Sequence, residues 1–355
     1  MQIKQNRRIQ VSKLAAFTLA ACAIEPAQAT DGYLEHGYGV KSQGMGGVGI
    51  ALASLAAGIA VYGNGGMNTR YRSGIPLFGR SEAGVDLEQL FVSPHIAWKI
   101  AEHHALGAAV NFAWQRFEAK GLANFDNPMF SNSPGYVTDR GGESSTGWGL
   151  RLGYTGQLTP DVAIGATWSS RIAASRFDKY RGLFADGGAF DIPQNYGIGA
   201  AWKIAPGLTV AADIERILYG KIASVGAPLA NFARAPLGAA DGAGFGWNNI
   251  VGHKIGLAYD LSPSLSLRAG YNHAGQPVPA SETLFNILAP GVVQKHLSVG
   301  GTLRLADRDE ISIAYTRAFK TTVEGVNSIP QNFGGGNANL SLEEHMLGIA
   351  YGVAF

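Results

Sequence analysis

The chain is nearly free of cysteine. Cys22 is the single one in 355 residues, so no internal disulfide can form. Charged residues are sparse as well, at 15%, which is little for a soluble enzyme of this length. Long apolar runs are also missing. No stretch reaches the roughly 18 residues that a spanning helix requires, and mean hydropathy is only +0.04 although 46% of residues are hydrophobic. Helical membrane architecture is thereby excluded. Catalytic signatures are lacking too: there is no Gly-x-Ser-x-Gly elbow and no His-Glu-x-x-His pair, and the eight histidines are scattered.

What the chain has is glycine, 49 residues of it, and strict alternation. In the closing segment Leu347, Ile349, Tyr351, Val353 and Phe355 fall on one face, with Gly348, Ala350, Gly352 and Ala354 on the other. Period two marks a strand with one apolar and one small or polar face. Leu106, Ala108, Val110, Phe112 and Trp114 repeat the pattern, as do Leu297, Val299, Gly301, Leu303 and Leu305. A soluble sandwich shows such alternation too, but it buries the apolar face under a second sheet and has short connections at both ends. A barrel whose outer face meets lipid hides half of its apolar signal by alternation, which explains the low mean hydropathy.

The first residues read as an export leader: Lys4, Arg7, Arg8 and Lys13, then an apolar core from Leu14 to Ile24, then Ala27-Gln28-Ala29 as a small-residue cleavage site. The competing reading is a lipoprotein box, Leu19-Ala20-Ala21-Cys22. Cleavage after Ala29 removes the lone thiol, and with it any thiolate metal site. It also takes four basic residues from 28 and one acidic residue from 26, leaving 24 against 25, a net charge near −1. Nothing in that balance argues for nucleic acid.

Strands are expected near 58 to 63, 88 to 100, 105 to 117, 144 to 157, 161 to 172, 192 to 204, 207 to 217, 247 to 260, 264 to 274, 292 to 305, 309 to 320 and 341 to 355. Tight turns such as Thr159-Pro160-Asp161, Ala205-Pro206-Gly207 and Ser262-Pro263-Ser264 alternate with long loops near 64 to 87, 118 to 143, 173 to 191, 218 to 246, 275 to 291 and 321 to 340. Short turns at one rim and long loops at the other are the outer-membrane arrangement, with the short turns periplasmic. Tryptophans and tyrosines near strand ends, among them Trp98, Trp148, Trp202, Tyr259 and Tyr351, supply candidates for interfacial aromatic girdles.

Gly37-Tyr38-Gly39 with Gly44-Met45-Gly46-Gly47, the segment Phe177-Asp178-Lys179-Tyr180-Arg181-Gly182-Leu183, the strand start Ile192-Pro193-Gln194-Asn195-Tyr196-Gly197, and Phe285-Asn286-Ile287-Leu288-Ala289-Pro290-Gly291 together resemble the FadL/TodX-type outer-membrane transporters. The resemblance spans nearly the whole mature chain. It implies a fourteen-stranded barrel plugged by an N-terminal hatch, loops that catch a long-chain fatty acid or another hydrophobic compound, and a kinked strand opening sideways into the membrane. It implies no cofactor and no energy-coupling partner. The chain departs from the pattern where hatch-like residues to about Ala53 run almost directly into Gly58-Ile59-Ala60-Val61-Tyr62, so that the first hairpin is missing and twelve strands remain. The expected layout is a leader over 1–29, a glycine-rich hatch over 30–57 and a barrel over 58–355.

Two loops are richer in apolar residues than an exposed loop needs: Phe117, Leu122, Phe125, Met129, Phe130 and Tyr136 in one, Phe177, Tyr180, Leu183, Phe184 and Phe190 in the other. Such a cluster marks either an interaction surface or a small local core. The resemblance favours ligand capture, with Arg140, Lys179 and Arg181 able to meet a carboxylate. Arginines at this rim also suit lipid phosphate. The ending Tyr351, Val353, Phe355 is the expected signal to the barrel assembly machinery. Gly44-x-Gly46-x-x-Gly49 matches a dinucleotide fingerprint formally, but it lacks a βαβ context. Ser298 beside His296 lacks an orienting acid. The reading is thus an all-β, monomeric outer-membrane transporter of hydrophobic molecules, without cofactor or metal, with a general diffusion porin or a non-transporting relative as the alternatives.

Overall fold

The computed structural model describes residues 31–35, 37–52, 57–305 and 309–353. The leader, Cys22 and Phe355 lie outside them. Among the described residues twelve strands form one sheet: β1 Ala57–Asn68, β2 Gly84–Ala101, β3 His104–Lys120, β4 Glu143–Thr159, β5 Val162–Ser169, β6 Asn195–Ala205, β7 Leu208–Ile217, β8 Ile250–Ser262, β9 Leu265–Ala274, β10 Lys295–Arg304, β11 Asp309–Val323 and β12 Leu340–Val353. Each is antiparallel to the next in chain order, and no described helix is long and apolar enough to cross a membrane. All twelve expected strands are present. β1 runs further than its alternation indicates, through a register shift at Gly63/Gly65. β5 stops at Ser169, because the chain beyond it leaves the ladder and keeps only isolated bridges, Ile172 to Ile192 and Ala174 to Gly147.

The two faces of the sheet are chemically distinct. Ile198, Trp202, Ile214, Ile255, Leu257, Leu297, Val299, Ile313, Leu347 and Ile349 point outward and are exposed. The alternate positions Asn111, Gln115, Asn272, Ser298, Thr302 and Thr316 point inward and are buried. So continuous an apolar exterior is stable only against hydrocarbon. β1 and β12 stand at the two margins of the curled sheet. Among the described residues no pairing joins them, in contrast to the closed ring the alternation leads one to expect.

Residues 31–35 and 37–52 run inside the curl. The helical turn Val40–Gln43 packs on β10, β11 and β12, and the turn at residues 50–52 packs on β4, β5 and β6. The wall makes room for this backbone by dispensing with side chains. A Cβ at Gly270 would overlap the backbone of Met45 and Gly46, and one at Gly65 would overlap the Tyr33 carbonyl. These wall glycines are therefore fixed by close approach of a second backbone.

Candidate functional site

At the long-loop rim the connections fold into a single apolar cluster. Phe117 continues β3 upward and meets the Tyr180 ring edge-on at 4.9 Å and the Phe184 ring at 4.6 Å. The Tyr180 hydroxyl accepts from the Ala119 amide at 3.1 Å and donates to the Gly141 carbonyl at 2.8 Å, which bolts this loop to the one before it. Phe125 is surrounded by rings from four other loops: Phe333 at 5.5 Å, Phe78 and Phe285 at 5.6 Å and Phe232 at 6.0 Å. At the centre is a cavity of about 40 Å³, lined by Phe117, Leu122, Phe125, Leu183, Phe184 and Phe285 among others. Among the described residues Ser224 is its only hydroxyl, and that oxygen is engaged by the Ala185 amide and the Ala189 carbonyl. None of the described residues that line the cavity carries a charged side chain.

The structure thus brings five of the sequence-selected residues, Phe117, Leu122, Phe125, Leu183 and Phe184, to one cavity wall. Phe177 and Tyr180 lie behind it, fully buried. Phe130 stacks outside it on Phe232 at 5.4 Å. Met129 is 78% exposed at a loop tip, where its neighbours leave it no partner surface in the cavity. Arg140 and Arg181 are elsewhere too, both over the Tyr136 ring, at 4.9 and 3.1 Å from its centroid. The guanidinium of Arg181 pulls the Tyr136 phenol below its ordinary range. The sequence reading did not select Phe78 and Phe245, and it singled out Phe285 and Leu288 only through the family resemblance, because their loops carry apolar residues without periodicity. A further signal was that every long loop holds at least one aromatic residue.

The floor of the cluster belongs to the N-terminal segment. Tyr33 packs among Tyr219, Trp247 and Phe190, at centroid distances of 5.0, 5.7 and 5.9 Å. Burial raises both the Tyr33 and the Tyr219 phenols, so they stay neutral. Just beneath, polar groups fasten the segment to the wall. Lys254 of β8 lies 3.5 Å from Asp31 and 2.9 Å from Glu215 of β7, and Asn272 of β9 donates to Asp31 at 2.7 Å. Asp213 of β7 accepts from the Gly49 and Ile50 amides at 2.8 and 3.1 Å. Lys41 pairs with Glu310 of β11. Below the segment the lumen opens into a compartment of about 1420 Å³ that reaches the short turns at His103-His104 and Pro160-Asp161. Two spaces, one small and uncharged, the other large and bordered by charged groups such as Lys41 and Arg151, therefore lie on either side of one strip of chain.

The family profile described as outer membrane protein transport protein (OMPP1/FadL/TodX) matches residues 46–355. The chain belongs to that family. Among solved structures, this OMPP1/FadL/TodX member is similar to the Pseudomonas putida toluene transporter TodX, with 18% identity, 85% of this chain and 80% of that one covered, and a TM-score of 0.58. A Pseudomonas aeruginosa FadL homologue gives 15% identity, coverage of 93% and 86%, and a TM-score of 0.61. The CymD monoaromatic hydrocarbon channel gives 14%, 90% and 98%, and 0.53. Among curated protein sequences none matches. At these identities the structures establish a common fold. The protein is accordingly an outer-membrane β-barrel transport protein and not an enzyme. The Ser298 hydroxyl lies 2.8 Å from that of Thr316 on the neighbouring strand.

Glu35 gives this family member a half-buried titratable group within the segment, at a point where the backbone meets the wall. Its amide donates to the Asn64 carbonyl at 3.0 Å, and Gln43 donates to its carboxylate at 3.4 Å. Burial pushes the carboxyl up to about 7 from 4.5, with Gln43 pulling weakly the other way. Lys41, Tyr38 and Arg151 border the same compartment. A segment that left this position would release the proton held here, so its seating is expected to be strongest below pH 4.5, to weaken as pH rises toward 7, and to be constant above. Channel openings in planar bilayers are expected to be more frequent at pH 8 than at pH 5, and Glu35→Gln is expected to flatten that difference. Identical pH profiles in the two proteins would remove Glu35 from the account.

Proposed function

We propose that the protein admits neutral hydrophobic molecules, monoaromatic hydrocarbons in particular, by capture in the rim cavity and release past a movable hatch formed by residues 31–52. The observation that carries this reading is the uncharged lining of the cavity. A carboxylate placed there is desolvated without a partner, which costs several kcal/mol, whereas a hydrocarbon loses nothing. The solved relatives described as toluene transporter and monoaromatic hydrocarbon channel support the same choice. A fatty acid is the second reading, supported by the FadL homologue; it requires the headgroup to stay at the rim near Arg140 and Arg181.

At about 40 Å³ the cavity is well below the ~150 Å³ that accommodates benzene. Entry of a ligand must therefore displace side chains, and the half-buried Leu183, Phe245 and Phe285 are the ones with room to move. Because Tyr33 is part of the same cluster, a filled cavity presses on the hatch itself. No cofactor takes part, and the outer-membrane lipid and assembly machinery are the expected surroundings of a monomer. Cells expressing the protein in an outer membrane lacking other channels of this type are expected to accumulate radiolabelled toluene several-fold faster than controls, with little gain for oleate. A gain for oleate alone would reverse the choice of ligand.

A further inference from the structure

The exterior of β7 to β12 carries a row of basic side chains at the long-loop rim. Arg216, His253, Lys295, Arg317 and His345 are exposed and His273 is half-buried, all on outward phases. Strand register aligns them. His253 pairs with His273, His273 with Lys295, and Arg317 with His345, while Leu297 sits opposite both Tyr271 and Arg317. Neighbouring strands lie about 4.8 Å apart, so His253, His273 and Lys295 follow at one strand-spacing per step and Arg317 with His345 forms a second such pair, while Arg216 is offset two residues along its strand from His253 and Arg317 two from Lys295. The acid that faces the band is Glu343, 3.5 Å from His345. On the exterior of β2 and β3 the arrangement is the opposite: Arg116 is held between Asp86 at 3.4 Å and Glu118 at 3.3 Å, with its charge already answered.

Immediately below the band is the apolar belt: Ile255, Leu257, Tyr271, Leu297, Val299, Ile313, Tyr315, Leu347 and Ile349, all exposed. We propose that this face is a binding surface for a phosphorylated lipid of the outer leaflet, whose phosphate monoesters are held by Lys295, Arg317 and Arg216 while its acyl chains lie on the belt. Charge complementarity selects the anion, since charge-assisted hydrogen bonds from ammonium and guanidinium groups suit phosphoryl oxygens. Contiguity with the belt selects a lipid over a free anion, because a ligand with both parts satisfies both surfaces at once.

The test uses the full-length protein in detergent and native mass spectrometry. The probes are bis-phosphorylated lipid A, its dephosphorylated form and inorganic phosphate, with a heat-dependent gel shift verifying the barrel in every variant. The wild type is expected to retain bis-phosphorylated lipid A through detergent exchange and not the dephosphorylated form. The triple variant Arg216→Gln/Lys295→Gln/Arg317→Gln is expected to retain at least about tenfold less, Lys295→Gln alone an intermediate amount, and Arg116→Gln as much as the wild type. Millimolar phosphate is expected not to compete. Equal retention of the dephosphorylated lipid, unchanged retention in the triple variant, or full competition by phosphate would each overturn the proposal.

Discussion

Lys254→Met is expected to turn a nearly silent channel into a conducting one. The methionine keeps the bulk of the lysine stem but withdraws the cation placed between Asp31 and Glu215; Lys254 and Asp31 are buried and Glu215 is half-buried. Removing one member of a buried ion pair costs about 3–5 kcal/mol, because the remaining carboxylate is left desolvated. Most of that cost is avoided by undocking residues 31–52, since Asp31 then reaches water. A shift of that size moves a docking equilibrium by a factor of order 10² to 10³. Planar-bilayer recordings are expected to show stepwise conductance through the ~1420 Å³ lower compartment. The double variant Asp31→Asn/Lys254→Met should conduct less than Lys254→Met alone, since an amide is easier to bury than an ion. A silent Lys254→Met channel with an intact barrel would show that the other ties, Asp213 to the Gly49 and Ile50 amides and Lys41 to Glu310, suffice.

Phe184→Ala is expected to have the second largest effect, of opposite character. The ring lies between Phe117 at 4.6 Å and Phe190 at 4.8 Å and lines the cavity directly. Truncating a buried phenylalanine costs about 3–5 kcal/mol and leaves a hole. Here the hole adds to a cavity already present, so the variant has room for a larger aromatic molecule such as naphthalene. The rim loops are expected to become sensitive to limited proteolysis, and saturating toluene or naphthalene to restore their resistance. Restoration by neither ligand, with the barrel still heat-shifting on gels, would detach the cavity from ligand capture. Introducing an aspartate at Phe125 or Phe184 is a blunter experiment. Both rings are buried, so a charge there would unfold the rim and obscure any effect on binding.

The strands were legible because alternation is a local property. Ile198 and Trp202 announce their face within a few residues, and lipid on one side enforces that face along the whole strand. The cavity was legible by half. Phe117, Phe125 and Phe184 stood out as too apolar for loops, yet their partners Phe78, Phe245 and Phe285 come from loops tens to more than a hundred residues away, and no short-range pattern joins them. Arginine placement was not legible at all, because whether Arg181 reaches inward or lies on Tyr136 depends on a contact across two loops. The glycines were the least readable signal. The sequence marks the N-terminal segment as glycine-rich, but the wall residues Gly65 and Gly270 owe their identity to what lies against them from elsewhere in the chain.

Those wall glycines bear on the order in which the molecule can be built. Residues 37–52 touch β4, β5 and β6 on one side and β10, β11 and β12 on the other, and at Gly270 the clearance is no more than a hydrogen atom would fill. So close a fit is reached most directly if the N-terminal residues are seated while β10 to β12 are added, the strip then serving as a mandrel on which the sheet is wound.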